Sequence, residues 1–458
     1  MSERLGNLGY MGMALEVTKG VPLSPTDYGM FFDETMTTNR NLQIQDPVFG
    51  NKFGTYQVLP GERDHQGVIT VVAEPNTVAK YFDMLLTRGS VTSSYTFTVT
   101  SANATIGATY TNNGVTFTVV ATIASSTTLL MTGSGAPTAS GTLTKASGTG
   151  DTTITFSTAV NTTNSWPYTL GTTNPKSYTL DLSYGNIVKR FFGVELSKIT
   201  PSWNKNELQL KLTVSALGSF LGREIASVST NVVALKTDYD PNPTNGLVTN
   251  DLVRIWHAAD GTTQDFTITS FTSTTITLSG SPTSITSGDM IYLRPATPAI
   301  NMLPPFLWTN TQFCYGTTAA AALSAAQTRL EQSSTWEIMH DFEKPAGADR
   351  SGSQDPAALV RLTGDISHTA KKFFDSPADI EAYNNLAKGA VVIRHFVYSG
   401  GNTYELRITI NHLVTNDPIA QMKSKAVSYS TIKYLAQYES TDGQAFDVKV
   451  INNLSAIS

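Results

Sequence analysis

The sequence predicts a mainly β protein: two β-sandwich or barrel halves, each carrying one packed α-helix, interrupted by two small inserted all-β modules. Three observations lead there. Charged residues make up only 15% of the 458, against roughly 25% in an ordinary soluble domain, and Thr, Ser, Asn and Gly, which suit strands and turns, fill the gap. Short runs in which apolar and polar residues alternate recur along the chain, the period of a half-buried strand. Two Thr-rich blocks, about Val91 to Thr163 and about Asn231 to Pro295, separate segments of ordinary composition. The division that follows is 1–90 with 164–228 for the first half, 91–163 and 229–295 for the inserted modules, and 296–458 for the second half.

In the first half, Gly67 to Val72 reads as a strand. Pro75 and Asn76 then open a helix whose Val78, Tyr81, Phe82 and Leu85 share one face, the spacing of a buried stripe. Tyr178, Leu180, Leu182 and Tyr184 alternate with polar residues, as do Leu208, Leu210, Leu212 and Val214. The first module alternates over Tyr95 to Val99 and again over Val115 to Val119, around a turn at Asn112-Asn113-Gly114. The second has short strands at Asp251 to Ile255, Phe266 to Ile268 and Thr275 to Leu278, spaced as in a small barrel or sandwich.

The second half repeats the order. Ala358 to Leu362 is a strand candidate, and Ser376-Pro377-Ala378-Asp379 reads as a helix start. Ile380, Tyr383 and Leu386 or Ala387 line that helix, and a hairpin from Val391 to Ile410 turns at Gly400-Gly401. Phe373 and Phe374 are read with Tyr81 and Phe82 as helix residues packed on a sheet, and Lys371-Lys372 and Lys423-Ser424-Lys425 as solvated faces.

The residues give little sign of catalysis, metal or cofactor. The six histidines show no metal-ligand spacing. His340-Asp341 reads as a surface or packed pair. Asp238-x-Asp240-x-Asn242 has Pro243 where a calcium loop needs Gly, so a surface turn is expected. Neither a phosphate-binding glycine loop nor a nucleophile elbow occurs. Cys314 is the single cysteine, so no intrachain disulfide can form. A net charge of −5 without a basic cluster speaks against tight nucleic-acid binding. Met1 to Gly20 lacks the apolar core of a signal peptide, and no run is long enough for a membrane helix, so folding in a cytoplasm and no membrane partner are expected.

One long turn-rich segment stands out in each half, Ile44 to Gly61 and Glu343 to Gln354. The first carries Val48, Phe49, Phe53, Tyr56 and Val58, more apolar surface than a solvated loop uses. It either folds against a neighbouring molecule or covers a small cluster on its own subunit.

Met13-Ala14-Leu15-Glu16-Val17-Thr18-Lys19-Gly20-Val21-Pro22 and Tyr28 to Thr35 resemble the opening of siphophage major tail tube proteins. Arg190 to Leu196 with Leu208 to Ser219 is similar to their mid-chain strand pair, and Pro304-Pro305-Phe306-Leu307-Trp308 to the entry of their second half. The order of these features, over somewhat more than half of the chain, carries the resemblance. The segment from Tyr95 to Phe156 resembles small β-modules that recur in phage virion proteins. The resemblance implies tail-tube-type halves joined into closed rings, three chains giving six similar positions or six chains if the duplication is not real. Rings would stack around a polar lumen that conducts DNA without binding it. Implied partners are further copies, a tape measure protein, a tail terminator and tail-tip or baseplate proteins. The implied location is the virion tail, after assembly in the host cytoplasm. In that frame Val48, Phe49, Phe53, Tyr56 and Val58 form an inter-ring arm. A head decoration protein or tail-surface adhesin is the alternative, and would be built of independent bead-like domains.

Overall fold

The computed structural model describes residues 9–457 apart from 46–56, 100–102, 106, 124–127, 172–173, 238–239, 297, 299, 301, 325–330, 344–355, 357, 374–377, 401, 416–428 and 441. The chain is mainly β, 60% strand and 7% helix. The body is a long antiparallel ladder. From one end its strands run Thr37–Gln45, Gln57–Val72, Glu207–Ala216, Val188–Asn204, Glu331–Glu343, Val360–Phe373, Tyr429–Ala436, Asn402–Val414, Gly389–Ser399 and Thr311–Gly316.

This ladder curls around helix α1 (Pro75–Leu85). Glu74 caps the helix, its carboxylate accepting from the Thr77 amide at 2.6 Å and the Asn76 amide at 3.1 Å, and Pro75 fits the first turn because its missing N–H would be unpaired there anyway. Ten of its eleven residues are buried. Tyr81, Phe82 and Leu85 share one core with Leu210 and Leu212 from the first segment and with Trp336, Ile393, Leu406 and Val448 from the second. The two segments therefore share one core around α1.

The expected strand at Gly67 to Val72 is the end of a longer one, Gln57–Val72. Ile44 and Gln45, expected in a turn-rich loop, pair with Val58 and Gln57; the hairpin partner overrides the Pro and Gly content. The strand expected at Ala358 to Leu362 runs from Val360 to Phe373, so Phe373 lies on a strand and not a helix. Lys372 is not solvated: it is buried, its Nζ 3.6 Å from the Tyr315 ring centroid and 4.9 Å from that of Tyr434, where two aromatic faces offset the lost water. Helix α3 (Ala378–Asn384; α2 is Ala319–Ser324) ends before Leu386, which is 69% exposed. Phe374, Ser376, Pro377 and the cluster at Lys423 to Lys425 lie outside the described residues.

Both Thr-rich blocks form closed six-stranded antiparallel barrels. The first uses Thr92–Val99, Thr109–Asn112, Val115–Ile123, Thr128–Gly133, Gly141–Ser147 and Thr153–Thr169, closing in the order 1-4-3-2-5-6. Its Asn113-Gly114 turn has φ of 52° and 74°, the conformation that makes Asn-Gly a hairpin turn. Tyr95, Phe97, Phe117 and Phe156 fill the interior, with Phe97 and Phe156 edge to face at 4.9 Å. The last strand crosses the 163/164 boundary: it pairs with Thr92–Val99 in the barrel and, from Asn164 to Tyr168, with Phe446–Asn452 in the body.

The second barrel uses Arg223–Ser229, Val232–Leu235, Leu252–Trp256, Thr263–Phe271, Thr275–Leu278 and Met290–Leu293, closing as 1-2-5-4-3-6. Its first strand starts before residue 229. Moving that strand to the last place turns this order into that of the first barrel. The sequences agree: Ser126-Thr127-Thr128-Leu129-Leu130-Met131-Thr132-Gly133-Ser134 matches Ser273-Thr274-Thr275-Ile276-Thr277-Leu278-Ser279-Gly280-Ser281. The two barrels share one strand order, circularly permuted by one strand.

Arg190 fixes the second barrel to the body. It donates to Asp181 on the body through Nε at 2.7 Å and Nη2 at 2.8 Å, and to Asp251 on the barrel side through Nη1 at 2.6 Å. It also reaches the Gly246 carbonyl at 3.2 Å, and it is 2% exposed. Removing one partner from such a buried network leaves uncompensated charge. Arg190→Met should lower the unfolding free energy by about 3–5 kcal/mol. Urea denaturation checks this, and a loss under 1 kcal/mol would show that the network is not what seats the barrel.

Candidate assembly surface

Among the described residues no group of three or more His, Cys, Asp or Glu is placed to hold a metal, and no helix is long and apolar enough to cross a membrane. Asp240 is held by Arg63 at 3.1 Å and Arg223 at 2.9 Å, a tie between the Gln57–Val72 strand and the second barrel. Its neighbour Asp238 lies outside the described residues. His340 is packed inside the fold. The features that stand out are unpaired strand edges, one uncovered helix and exposed apolar side chains.

The order of a long hairpin, a helix and a second hairpin occurs twice. It is Thr37–Gln45 with Gln57–Val72, α1, then Val188–Asn204 with Glu207–Ala216. It recurs as Glu331–Glu343 with Val360–Phe373, α3, then Gly389–Ser399 with Asn402–Val414. The two meet edge to edge, Lys198 opposite Met339 and Ile199 opposite Ile338. Lys198 adds an ion pair to Glu337 at 2.6 Å. At the two ends of the ladder, the outer edges of Thr37–Gln45 and Thr311–Gly316 have no strand partner among the described residues.

The two helices differ in cover. The second segment grips α1 at both ends: Asn452 Nδ2 donates to the Pro75 carbonyl at 3.0 Å, and Arg361 donates to the Met84 carbonyl at 3.4 Å and to that of Leu85. In α3, Ile380, Ala382 and Tyr383 are only half-buried, and Glu381 and Asn384 are exposed. Leu386, two residues past it, is 69% exposed, and Tyr398 and Tyr438, further along the second segment, are 71% and 62% exposed. Elsewhere Lys19 donates to the Leu359 carbonyl at 3.3 Å, and Val17, Val360 and Leu362 are exposed.

Of the expected arm residues, Val48, Phe49, Phe53 and Tyr56 lie outside the described residues, as does the second turn-rich segment from residue 344 on. Val58 sits in the Gln57–Val72 strand with its backbone opposite Ile44. The described strands on either side of it, Thr37–Gln45 and Gln57–Val72, pair with each other. The unpaired edges could not be read from composition, because an edge strand and a central strand share the same alternation. No protein-family model and no curated protein sequence matches the chain.

Four buried histidines lie in the second segment's sheets: His340, His368, His395 and His412. His395 bonds Thr311 Oγ1 through Nδ1 at 2.9 Å, and its Nε2 has no hydrogen-bond partner among the described residues. Burial pushes His395 and His412 down to about 3 and His340 to about 4, against 6.5 when exposed. The folded state thus refuses a proton that the unfolded chain accepts below pH 6.5. Each histidine's contribution is fully present above pH 6.5 and declines as pH falls, by about 1.4 kcal/mol per pH unit. Between pH 7.5 and 5.0, a His395→Asn variant should lose about 2 kcal/mol less stability than the wild type. Denaturant titrations at the two pH values check this; equal losses would show that His395 takes up its proton without penalty in the fold.

Proposed function

We propose that the protein is a structural subunit of a phage tail tube, joined head to tail into rings that stack around a DNA-conducting lumen. The supporting observation is the edge-to-edge junction inside the chain. One hairpin–helix–hairpin unit meets the next through Val188–Asn204 and Glu331–Glu343, and a helix is buried behind that meeting. Among the described residues the outermost strand at each end of the ladder pairs on one side only. Unpaired edges adhere to other strands, and a head-to-tail contact that closes on itself consumes them all. In such a ring a second copy would cover α3 as the second segment covers α1, and three chains would give six similar junctions.

The role is assembly and not catalysis. Strand pairing and apolar burial supply the affinity of such a ring. The resemblance of Met13 to Pro22, Tyr28 to Thr35 and Pro304 to Trp308 to tail tube proteins supports the same reading. The segment carrying Val48, Phe49, Phe53 and Tyr56 would reach the adjacent ring. A decoration or adhesin role fits the two closed barrels taken alone, but not a body in which both segments share one core.

Two variants separate ring closure from stacking. Thr37→Lys with Asn39→Lys places two charges on the outer edge strand and should convert ring-sized oligomers to monomers, read by light scattering and electron microscopy. Phe49→Ser with Phe53→Ser should leave rings and abolish long tubes. Rings unaffected by the edge charges would refute the closure, and tubes of normal length from the second variant would refute the arm. Wild-type protein that stays monomeric at all concentrations, with or without tail extract, would overturn the tube reading itself.

A further inference from the structure

The second barrel carries a surface that the first lacks. Leu252–Trp256 lies between Thr263–Phe271 and Met290–Leu293, with Arg254 opposite Asp265 on one side and Tyr292 on the other. Val253, Ile255 and Ile291 point inward, so Arg254, Trp256 and Tyr292 share the outer face. In the first barrel the matching row is Thr111, opposite Thr116 and Thr144. One scaffold thus bears a plain threonine row in one copy, and an Arg–Asp–Tyr row flanked by tryptophan in the other.

These residues line a cavity of about 390 Å³ that the body completes: Asn186, Ile187, Arg254, Trp256, Thr263 and Tyr292. Trp256 is 38% exposed, while Trp166 and Trp336 are buried and Trp203 and Trp308 pack edge to face. Arg254 is held flat by a two-pronged bond to Asp265, Nε at 2.7 Å and Nη2 at 2.8 Å. Arg294 approaches the same carboxylate with Nε at 3.4 Å. Arg254 and Arg294 together line an adjoining cavity of about 460 Å³. Two guanidiniums therefore share one carboxylate, and a positive charge is left facing the groove.

We propose that this groove binds an acidic oligosaccharide. A flat exposed indole beside a tyrosine offers apolar area with a polar edge, which suits the C–H face of a pyranose. Asn186 and Thr263 supply amide and hydroxyl groups for sugar hydroxyls. The surplus guanidinium selects a carboxylate on the sugar, since arginine matches carboxylates in a fork geometry. The adjoining cavity extends the groove past one ring. The inference rests on the groove that the barrel forms with Asn186 and Ile187 of the body and does not depend on the tube reading.

The test titrates the full-length protein with three probes. They are uronate- or sialate-bearing oligosaccharides, neutral oligosaccharides of equal length, and inorganic phosphate, followed by calorimetry and saturation-transfer NMR. Saturable binding is expected for the acidic sugars, with neutral sugars and phosphate at least about tenfold weaker, a difference near 1.4 kcal/mol. Trp256→Ala should abolish that binding, Arg294→Gln should weaken it about tenfold, and Thr111→Ala on the first barrel should leave it unchanged. Trp256→Phe, which keeps an aromatic plane, should retain part of it and guards against misfolding of the alanine variant. No saturable binding of acidic sugars would overturn the proposal. So would equal affinity for neutral sugars, or phosphate binding as tight as the sugar's and indifferent to Trp256.

Discussion

The burial of α1 is the constraint on which the rest of the body depends. Ten of its eleven residues are buried, and neither segment alone supplies that cover. Leu210 and Leu212 cover part of it, and Trp336, Leu406 and Val448 cover the rest. Its terminal carbonyls are met by Asn452 and Arg361 from the second segment. Even Lys80 and Asp83, charged residues on this buried helix, are answered, by Asp27 and by Tyr178 with Arg88. An unpaired charge at this depth would be strongly destabilising. The end of the Pro-rich connector meets the start of this helix. Phe306 donates to the Ala73 carbonyl at 3.0 Å and accepts from Leu208 at 2.9 Å, sealing the entry to the helix.

The parts of the fold legible in the sequence are those set by local period and turn chemistry. Val78, Tyr81, Phe82 and Leu85 announce α1, and Asn113-Gly114 announces its hairpin. Local signals failed where a distant partner decides. Lys371-Lys372 reads as surface, yet Lys372 lies between Tyr315 and Tyr434, which are far away in sequence. Ile44 to Gly61 reads as a loop because of its Pro and Gly residues, yet its ends are paired to each other. The repeat joining the two barrels was present as Ser-Thr-Thr at 126–128 and 273–275 but is masked by the Thr-rich composition around it. Of the candidate surface, the apolar content of the arm was legible. The Trp256 groove was not, because Trp256 and Tyr292 come together through barrel pairing and Asn186 joins them only from the body.

The two barrels also show how composition relates to stability. Each places its apolar residues on the inward half of the alternation, Phe97, Phe117 and Phe156 in one and Val253, Ile255 and Ile291 in the other. Outward positions then carry Thr, whose β-branched side chain fits a strand and whose hydroxyl meets water. Closure removes the free edges that such sticky, weakly charged strands would otherwise present. The low charge of the chain is therefore compatible with solubility where strands close on themselves.

In each barrel the first and last strands are neighbours, Thr92–Val99 beside Thr153–Thr169 and Arg223–Ser229 beside Met290–Leu293. Adjacent strands lie about 5 Å apart, so the chain leaves each barrel next to where it entered. A host fold can receive such a unit at a single loop without spreading the loop's ends. Permutation by one strand keeps this property, because a closed ring has no privileged starting point.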